Sequence, residues 1–275
     1  MTFETITVRP VTPRIGAEID NVDLSQPLGN ETFQEIRDAL MRHQVIFFRD
    51  QKMSLEQHKE LGRMFGELHI HPGSPGPEGH PEILIIHADE KSKRVAGDLW
   101  HSDVSCDEEP PMGSILHIHT VPECGGDTLF ASMYAAYDAL SEPMKAFLAP
   151  LTAIHEGEHV YRGRYSHQGV DDAGKVYPKA EHPVVRTHPV TGRKALYVNS
   201  GFTTRIPQLS KLESDAVLRM LYDHCASPLF QCRFRWEKDS VAFWDNRCVQ
   251  HYAMWDYYPQ VRSGYRVTIK GERPV

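Results

Sequence analysis

Four positions in this chain place a histidine two residues before a carboxylate: His58-Lys59-Glu60, His80-Pro81-Glu82, His87-Ala88-Asp89 and His101-Ser102-Asp103. In an extended segment, side chains i and i+2 project to one face, so such a pair can offer an imidazole and a carboxylate to one point. A second imidazole from elsewhere, for which His251 is the candidate, completes a two-histidine, one-carboxylate facial set. That set leaves the opposite side of a metal open and suits non-haem Fe(II) that must also bind a co-substrate and oxygen. The same three side chains suit Zn²⁺ with a bound water, the arrangement of a hydrolase. A jelly-roll binding protein that keeps the triad only as a structural site is the third reading. With 16 His and 37 acidic residues in 275 positions, roughly two such pairs arise by chance, so spacing alone does not choose among the four. His58-Lys59-Glu60 lies in a helical pattern, where i and i+2 diverge, and His80-Pro81-Glu82 lies in a Gly/Pro-rich loop. His87-Ala88-Asp89 follows the apolar run Ile83-Leu84-Ile85-Ile86 and competes directly with His101-Ser102-Asp103.

The elements that must position these groups are readable from local patterns. Phe3 to Val8 can be a strand, and Asn30 can cap a helix whose apolar positions Phe33, Ile36 and Leu40 recur at helical spacing. Val45-Ile46-Phe47-Phe48 reads as a buried strand, and Ser54 with Gln57 forms a capping box for a second helix that Gly66 ends. After His69-Ile70-His71-Pro72, the breakers Gly73, Pro75, Gly76, Pro77 and Gly79 make a loop, either a surface turn or a flap over a site. Met112 to Thr120 reads as a strand; its His117-Ile118-His119 has the form of a metal pair, although a structural reading is favoured. Ser132 to Leu151 is helical with a restart at Ser141-Glu142-Pro143. His155-Glu156-Gly157-Glu158-His159 lacks the His-Glu-x-x-His order of a zinc helix, and Gly157 weakens any helix through it. Tyr161 to Tyr177 has no periodicity and reads as a surface segment or lid. Val184 to His188 and Ala195 to Val198 flank Thr191-Gly192 as a hairpin, and Ser210 with Glu213 caps a helix through Leu221. In the β-rich last third, Tyr265-Arg266-Val267-Thr268-Ile269 is a strand pattern that could lie beside the strand carrying His251.

Composition narrows the partners. A formal charge of −7 disfavours general nucleic-acid binding, which wants a basic face, and points to small molecules. Cys106, Cys124, Cys225, Cys232 and Cys248 form an odd set with no C-x-x-C pair, against a disulfide framework and for a cytoplasmic protein. No apolar run approaches the ~20 residues of a membrane span. No linker, repeat or low-complexity tract divides the chain, so residues 1–275 read as a single domain.

Several separated blocks carry a family resemblance: Trp100-His101-Ser102-Asp103-Val104, Gly125-Gly126-Asp127-Thr128-Leu129, Asn199-Ser200-Gly201-Phe202-Thr203-Thr204-Arg205, Trp244-Asp245-Asn246-Arg247 through Gln250-His251-Tyr252, and Arg266-Val267-Thr268-Ile269. In this order they resemble the taurine dioxygenase (TauD/TfdA) group of Fe(II)- and 2-oxoglutarate-dependent oxygenases. The resemblance runs from about Ile6 to the C-terminus, with a divergent patch near 156–180. It implies a mixed α and β fold with a double-stranded β-helix (jelly-roll) core, flanking helices, and lid segments near 69–80 and 156–180. It further implies Fe(II) on His101, Asp103 and His251, with 2-oxoglutarate and O2 as co-substrates. Thr128 and Arg266 would hold the distal carboxylate of 2-oxoglutarate, with Arg262 the nearer alternative to Arg266. A small organic acid would then be hydroxylated, with succinate and CO2 as coproducts, by a homo-oligomer, dimer or tetramer.

His71 matches a substrate-contacting histidine of the taurine enzymes. Ser74 stands where those enzymes carry Tyr, Gly97 where they carry Asn, and Gly157 where they carry a pocket-lining Phe. These positions imply a substrate bulkier than taurine: a sulfonate, an alkyl sulfate, or an aryloxy or carboxylic acid. A pocket refilled from the lid around Tyr161 and Tyr165 is the competing reading of the same deletions.

Overall fold

The structure is a computed structural model, and it describes residues 3–71, 76–95, 97–163 and 171–275. Its strands are β1 (Thr7–Pro10), β2 (Ala17–Asp20), β3 (Val45–Phe48), β4 (Ile83–Ala88), β5 (Gly113–Thr120), β6 (Thr128–Ser132), β7 (Thr152–Glu156), β8 (Lys179–Pro183), β9 (Val185–Thr187), β10 (Lys194–Leu196), β11 (Thr203–Arg205), β12 (Gln231–Phe234), β13 (Ser240–Asp245), β14 (Val249–Ala253) and β15 (Arg262–Ile269). The helices are α1 (Asn30–His43), α2 (Leu55–Phe65), α3 (Met133–Asp138), α4 (Glu142–Leu148), α5 (Glu158–Tyr161) and α6 (Lys211–Cys225).

The large sheet has the order β1-β2-β3-β13-β5-β15-β4, and a smaller one the order β12-β6-β14. Both faces of the large sheet are covered. Phe47, Leu116, Ile118, Ala242 and Trp244 pack with Phe130, Cys232, Phe234 and Val249 of the small sheet. Ile46, Phe48, Ile115, Val241, Phe243 and Val267 pack with Ile36 and Leu40 of α1 and Leu61 of α2. This double burial is why Val45-Ile46-Phe47-Phe48 is apolar at every position rather than alternating. It also sends Ile115 to one core and its neighbours Leu116 and Ile118 to the other.

Capping chemistry sets most helix starts. Ser54 with Gln57 and Ser210 with Glu213 form reciprocal capping boxes, and Ser132 and Ser141 each accept a backbone N–H at the starts of α3 and α4. Asn30, expected as a cap, is instead the first helical residue, and Gly29 precedes it with no side-chain bond to the helix. Acidic Glu31 in the first turn still suits the positive end of the helix dipole. The first strand starts at Thr7 rather than Phe3, and α6 continues past Leu221 to Cys225. The hairpin of β9 and β10 forms as expected.

One neighbour relation differs from the sequence reading. β15 lies between β5 and β4 of the large sheet, whereas β14, which carries His251, pairs with β6 in the small sheet. Arg266 therefore reaches the His251 region from another sheet, a tertiary relation that strand periodicity does not encode. The register of β15 on β5 shifts between Ser263 and Gly264. A Cβ at Gly264 would stand 2.2 Å from the His117 carbonyl oxygen, so only glycine permits this approach between the two arginines of the strand.

Candidate metal centre

His101 and His251 are tied together through their backbones. His251 N donates to the His101 carbonyl at 2.8 Å and His101 N to the His251 carbonyl at 3.2 Å, forming an isolated antiparallel bridge. Their ring centroids are 4.1 Å apart. Asp103 Oδ1 lies 3.6 Å from His101 Nε2 and 3.9 Å from His251 Nε2. One ligand atom from each of the three residues falls within 4.8 Å of the other two.

The surrounding contacts prepare all three as ligands. His101 Nδ1 donates to the Leu99 carbonyl at 2.7 Å, which orients the ring so that Nε2 is the nitrogen facing Asp103. His251 is wedged by Trp244, centroid to centroid 4.7 Å, and by Phe130 at 6.1 Å. Burial, helped by His101, holds its pKa well below the usual histidine range despite Asp103, so the imidazole is neutral. Burial alone would raise the pKa of Asp103, but Arg266 first and then the two histidines outweigh it and keep the carboxylate ionised. Ser114 Oγ donates to Asp103 Oδ2 at 2.7 Å, and Asn246 brackets the pair, accepting from Asp103 N at 3.2 Å and donating to Ser114 Oγ at 3.1 Å. Two imidazoles and a carboxylate, with no thiolate among them, fit a divalent ion such as Fe(II).

A second buried group, His188, Asp245 and Cys248, does not fit a metal. His188 Nδ1 accepts from the backbone N–H groups of Val190 and Thr191, so its Nε2–H must donate to Asp245 Oδ2, 3.0 Å away. Arg247 donates to both Asp245 oxygens at 2.8 Å, and burial pushes the Cys248 thiol pKa far up. The group is a structural clasp. His87 Nδ1 instead meets Ser263 Oγ at 3.2 Å, and neither it nor Asp89 belongs to a metal-capable group among the described residues. His69 Nε2 pairs with Asp107, and His117 Nε2 lies 3.5 Å from Asp239. His155 lies in β7 and contacts Ser105, while His159 sits on α5 against the Gly201 carbonyl, so the two do not converge.

The two arginines of β15 have different surroundings. Arg266 NH1 donates to Asp103 Oδ1 at 2.6 Å, in contact with the metal carboxylate. Arg262, four residues and therefore roughly 13 Å of strand away, is buried; its Nε donates to the Gly126 carbonyl at 2.9 Å, and its NH2 has no partner among the described residues. Its Cζ lies 5.3 Å over the Trp236 ring, and Trp236 Nε1 donates to Thr128 Oγ1 at 2.9 Å. Burial lowers the pKa of Arg262 against the opposing pull of Tyr257 and Asp127. A buried cation left with an unused donor is a site for an anion.

These groups share one cleft of ≈ 860 Å³ including its open mouth. Its walls include Leu84, Ile86, Leu99, Val104, Tyr161 and Phe202, with His71, Thr128, Arg262 and Arg266 as polar points. Val104 was not singled out by sequence, yet it has φ +47, a conformation that strains a β-branched residue by roughly 1–3 kcal/mol. His71 lies on the wall with its ring edge against Tyr161, centroids 5.3 Å apart. Gly97 is also on the wall, at φ +87, and a Cβ there would come 3.2 Å from His101 Cε1. Ser74 lies outside the described residues. Gly157 does not line the cleft: a Cβ there would meet Cys106 Sγ at 3.0 Å and the Tyr161 ring at 3.1 Å. Its missing side chain makes room for Tyr161, which takes the place on the wall.

The whole of this architecture has known counterparts. Residues 7–268 match the family described as taurine catabolism dioxygenase TauD, TfdA family. The chain is 38% identical over 280 residues to an alpha-ketoglutarate-dependent sulfate ester dioxygenase of Pseudomonas putida, covering 98% of this chain and 91% of the relative. It is 36% identical over 283 residues to the alpha-ketoglutarate-dependent sulfonate dioxygenase of Saccharomyces cerevisiae, covering 98% and 68%. A solved taurine dioxygenase from Burkholderia xenovorans superposes with TM-score 0.85 at 37% identity, covering 99% of this chain and 93% of that one. AAD-2 in complex with Mn(II) and N-oxalylglycine does so with TM-score 0.80 at 28% identity, covering 98% and 99%.

Proposed function

Because this chain belongs to the TauD/TfdA family and is a 2-oxoglutarate-dependent dioxygenase, we propose that it hydroxylates a sulfonate, an alkyl sulfate or a related organic acid whose apolar body is larger than that of taurine. The observation that carries this reading is a single cleft in which the metal triad, a buried arginine with a spare donor, and an apolar wall of Leu84, Ile86, Leu99, Tyr161 and Phe202 converge.

His101, Asp103 and His251 hold Fe(II), which with 2-oxoglutarate and O2 supplies the oxidation, yielding succinate, CO2 and a hydroxylated substrate. We place the distal carboxylate of 2-oxoglutarate on Arg262 and Thr128 rather than on Arg266. Arg266 already contacts an Asp103 oxygen beside the candidate metal position, whereas Arg262, roughly 13 Å of strand away, stands where the far carboxylate of a five-carbon diacid would reach if its 2-oxo acid end were held near the triad. Both arginines keep a buried donor without a partner among the described residues, NH2 of Arg262 and Nε of Arg266, but it is Arg262 that shares Trp236 with Thr128, which supports Arg262 and Thr128 as the carboxylate's site. Arg266 and His71 then face the anionic head of the substrate, and the apolar wall takes its body, gaining roughly 25 cal/mol per Å² of apolar surface buried. The wall also excludes water from the reacting carbon. A hydroxyl placed on a carbon bearing a sulfate ester or sulfonate lets that product fragment to a carbonyl compound and release the sulfur oxyanion.

The large and small sheets, facing each other with the metal residues between them, support a double-stranded β-helix core formed as one catalytic domain. His71, Val160 and Tyr161 on the cleft wall support reading the segments near 69–80 and 156–180 as lids.

Incubating the protein with Fe(II), ascorbate, 2-oxoglutarate and a panel of alkyl sulfates, sulfonates and aryloxy acids tests the reading. The expected result is succinate formed in stoichiometry with product, faster for chains longer than taurine. A zinc hydrolase on the same triad would release product without consuming 2-oxoglutarate or O2. A clear preference for taurine would overturn the substrate class.

A further inference from the structure

We propose that Trp236, which does not itself line the cleft, is the positioning residue that prepares the co-substrate's distal carboxylate site. The proposal rests on the placement of that carboxylate at Arg262 and Thr128. Trp236 is buried, with its ring held edge-on against Phe234, centroids 5.0 Å apart, and Phe234 in turn stacked on Phe47 at 4.0 Å. From this fixed position one side chain acts on both anchoring groups.

Its first action is on the hydroxyl of Thr128. A threonine hydroxyl has one proton to give and two lone pairs to receive, whereas an indole N–H can only donate. Trp236 Nε1 donates to Thr128 Oγ1 at 2.9 Å, occupying a lone pair. The Thr128 proton is therefore directed away from Trp236, and the residue stands on the cleft wall, where a carboxylate oxygen can accept it. Without the indole N–H, the hydroxyl is free to spend its proton elsewhere.

The second action is on the Arg262 guanidinium, whose Cζ lies 5.3 Å over the same ring. The face of an indole attracts a cation, and with Nε fixed on the Gly126 carbonyl this contact helps set the plane in which the remaining N–H groups point. A bidentate carboxylate requires that plane to be set before it arrives. Trp236 thus orients a neutral donor and a charged donor toward one dicarboxylate end.

Trp236→Phe keeps an aromatic ring and removes the N–H. Calorimetric titration of the Mn(II)-loaded protein with 2-oxoglutarate and with pyruvate, which lacks the distal carboxylate, reads its effect. Trp236→Phe is expected to weaken 2-oxoglutarate roughly three- to tenfold while leaving pyruvate and Mn(II) affinity unchanged. In a Thr128→Val background the same change should cost about twofold or less, because the hydroxyl it orients is gone. Equal losses for 2-oxoglutarate and pyruvate, an equal loss in both backgrounds, or no loss at all would each overturn the positioning role. Unaltered 2-oxoglutarate binding by both Thr128→Val and Arg262→Ala would instead overturn the placement on which it rests.

Discussion

Arg266 NH1 and Asp103 Oδ1 lie 2.6 Å apart, joining β15 to the metal loop across 163 positions of sequence. With the roles proposed above, this contact separates the tasks of the two arginines on β15, and the separation is measurable. Arg262→Ala is expected to weaken 2-oxoglutarate roughly ten- to a hundredfold, the worth of a charged hydrogen bond. Arg266→Ala should leave that affinity near its starting value and lower kcat/KM for the anionic substrate. Calorimetry with the co-substrate and initial rates with an alkyl sulfate read both effects, and the reverse pattern would return the co-substrate to Arg266.

Metal affinity depends on more than the three ligands. Removing Ser114 Oγ takes a hydrogen bond from Asp103 and leaves Asn246 Nδ2 without its acceptor. Ser114→Ala should therefore reduce Fe(II) or Mn(II) affinity by roughly ten- to a hundredfold, His101→Ala should abolish it, and His87→Ala should leave it intact. Metal titration followed by thermal denaturation checks that the variants remain folded. Loss of binding in His87→Ala with retention in His101→Ala would relocate the centre to β4.

The packing of Gly157 under Tyr161 ties a remote glycine to substrate size. Gly157→Ala puts a methyl group 3.1 Å from the ring, which must give toward the cleft and narrow it. Relative kcat/KM should then fall for long-chain alkyl sulfates more than for short ones, while Tyr161→Ala widens the preference in the opposite sense. Chain-length profiles that coincide for Gly157→Ala, Tyr161→Ala and the parent would show that Tyr161 does not border the substrate.

Acid should destabilise the fold through buried histidines. Burial first, and then His117 for His58 and His182 for His155, bring both pKa values down to about 3. The unfolded chain, with histidine near 6.5, binds these protons more readily than the folded one. Stability is therefore complete above about pH 6.5 and falls as pH drops toward 3, by about 1.4 kcal/mol per pH unit for each histidine. Urea midpoints at pH 7.5 and pH 5 should differ accordingly. His58→Gln, whose amide can still donate to the Ile115 carbonyl that His58 Nε2 now meets at 3.0 Å, should show a shallower dependence. An unchanged slope in that variant would remove His58 from the account.

What was legible in the sequence divides along the range of the interactions. Capping boxes at Ser54 and Ser210 and the apolar run of β3 are decided within a few residues, and the structure repeats them. Local spacing could not separate His101-Ser102-Asp103 from His87-Ala88-Asp89, because what separates them is the pairing of His101 with His251, 150 positions away. At Gly157 the sequence leaves two readings open, a pocket enlarged by the missing side chain or one refilled from around Tyr161, and only the fold shows that Tyr161 packs against this glycine and stands on the cleft wall. Trp236 carried no signal at all, since an alternating aromatic in a β-rich stretch reads as core packing until its indole N–H is seen to point at Thr128. Arg262 and Arg266 stand four apart on one strand, and no local pattern tells that the first meets Gly126 and Trp236 while the second meets Asp103.

The backbone bridge between His101 and His251 also bears on when the protein can acquire its metal during synthesis. Two ligands lie near position 100 and the third at 251, and the bridge that holds them can close only after β14 has left the ribosome and paired with β6. A nascent chain truncated between positions 103 and 251 owns an imidazole and a carboxylate of the set but not the third side chain. If these three residues hold the iron as proposed, its enclosed capture waits until position 251 has emerged and folded, and a chain stalled before then offers a redox-active ion only an open two-ligand site.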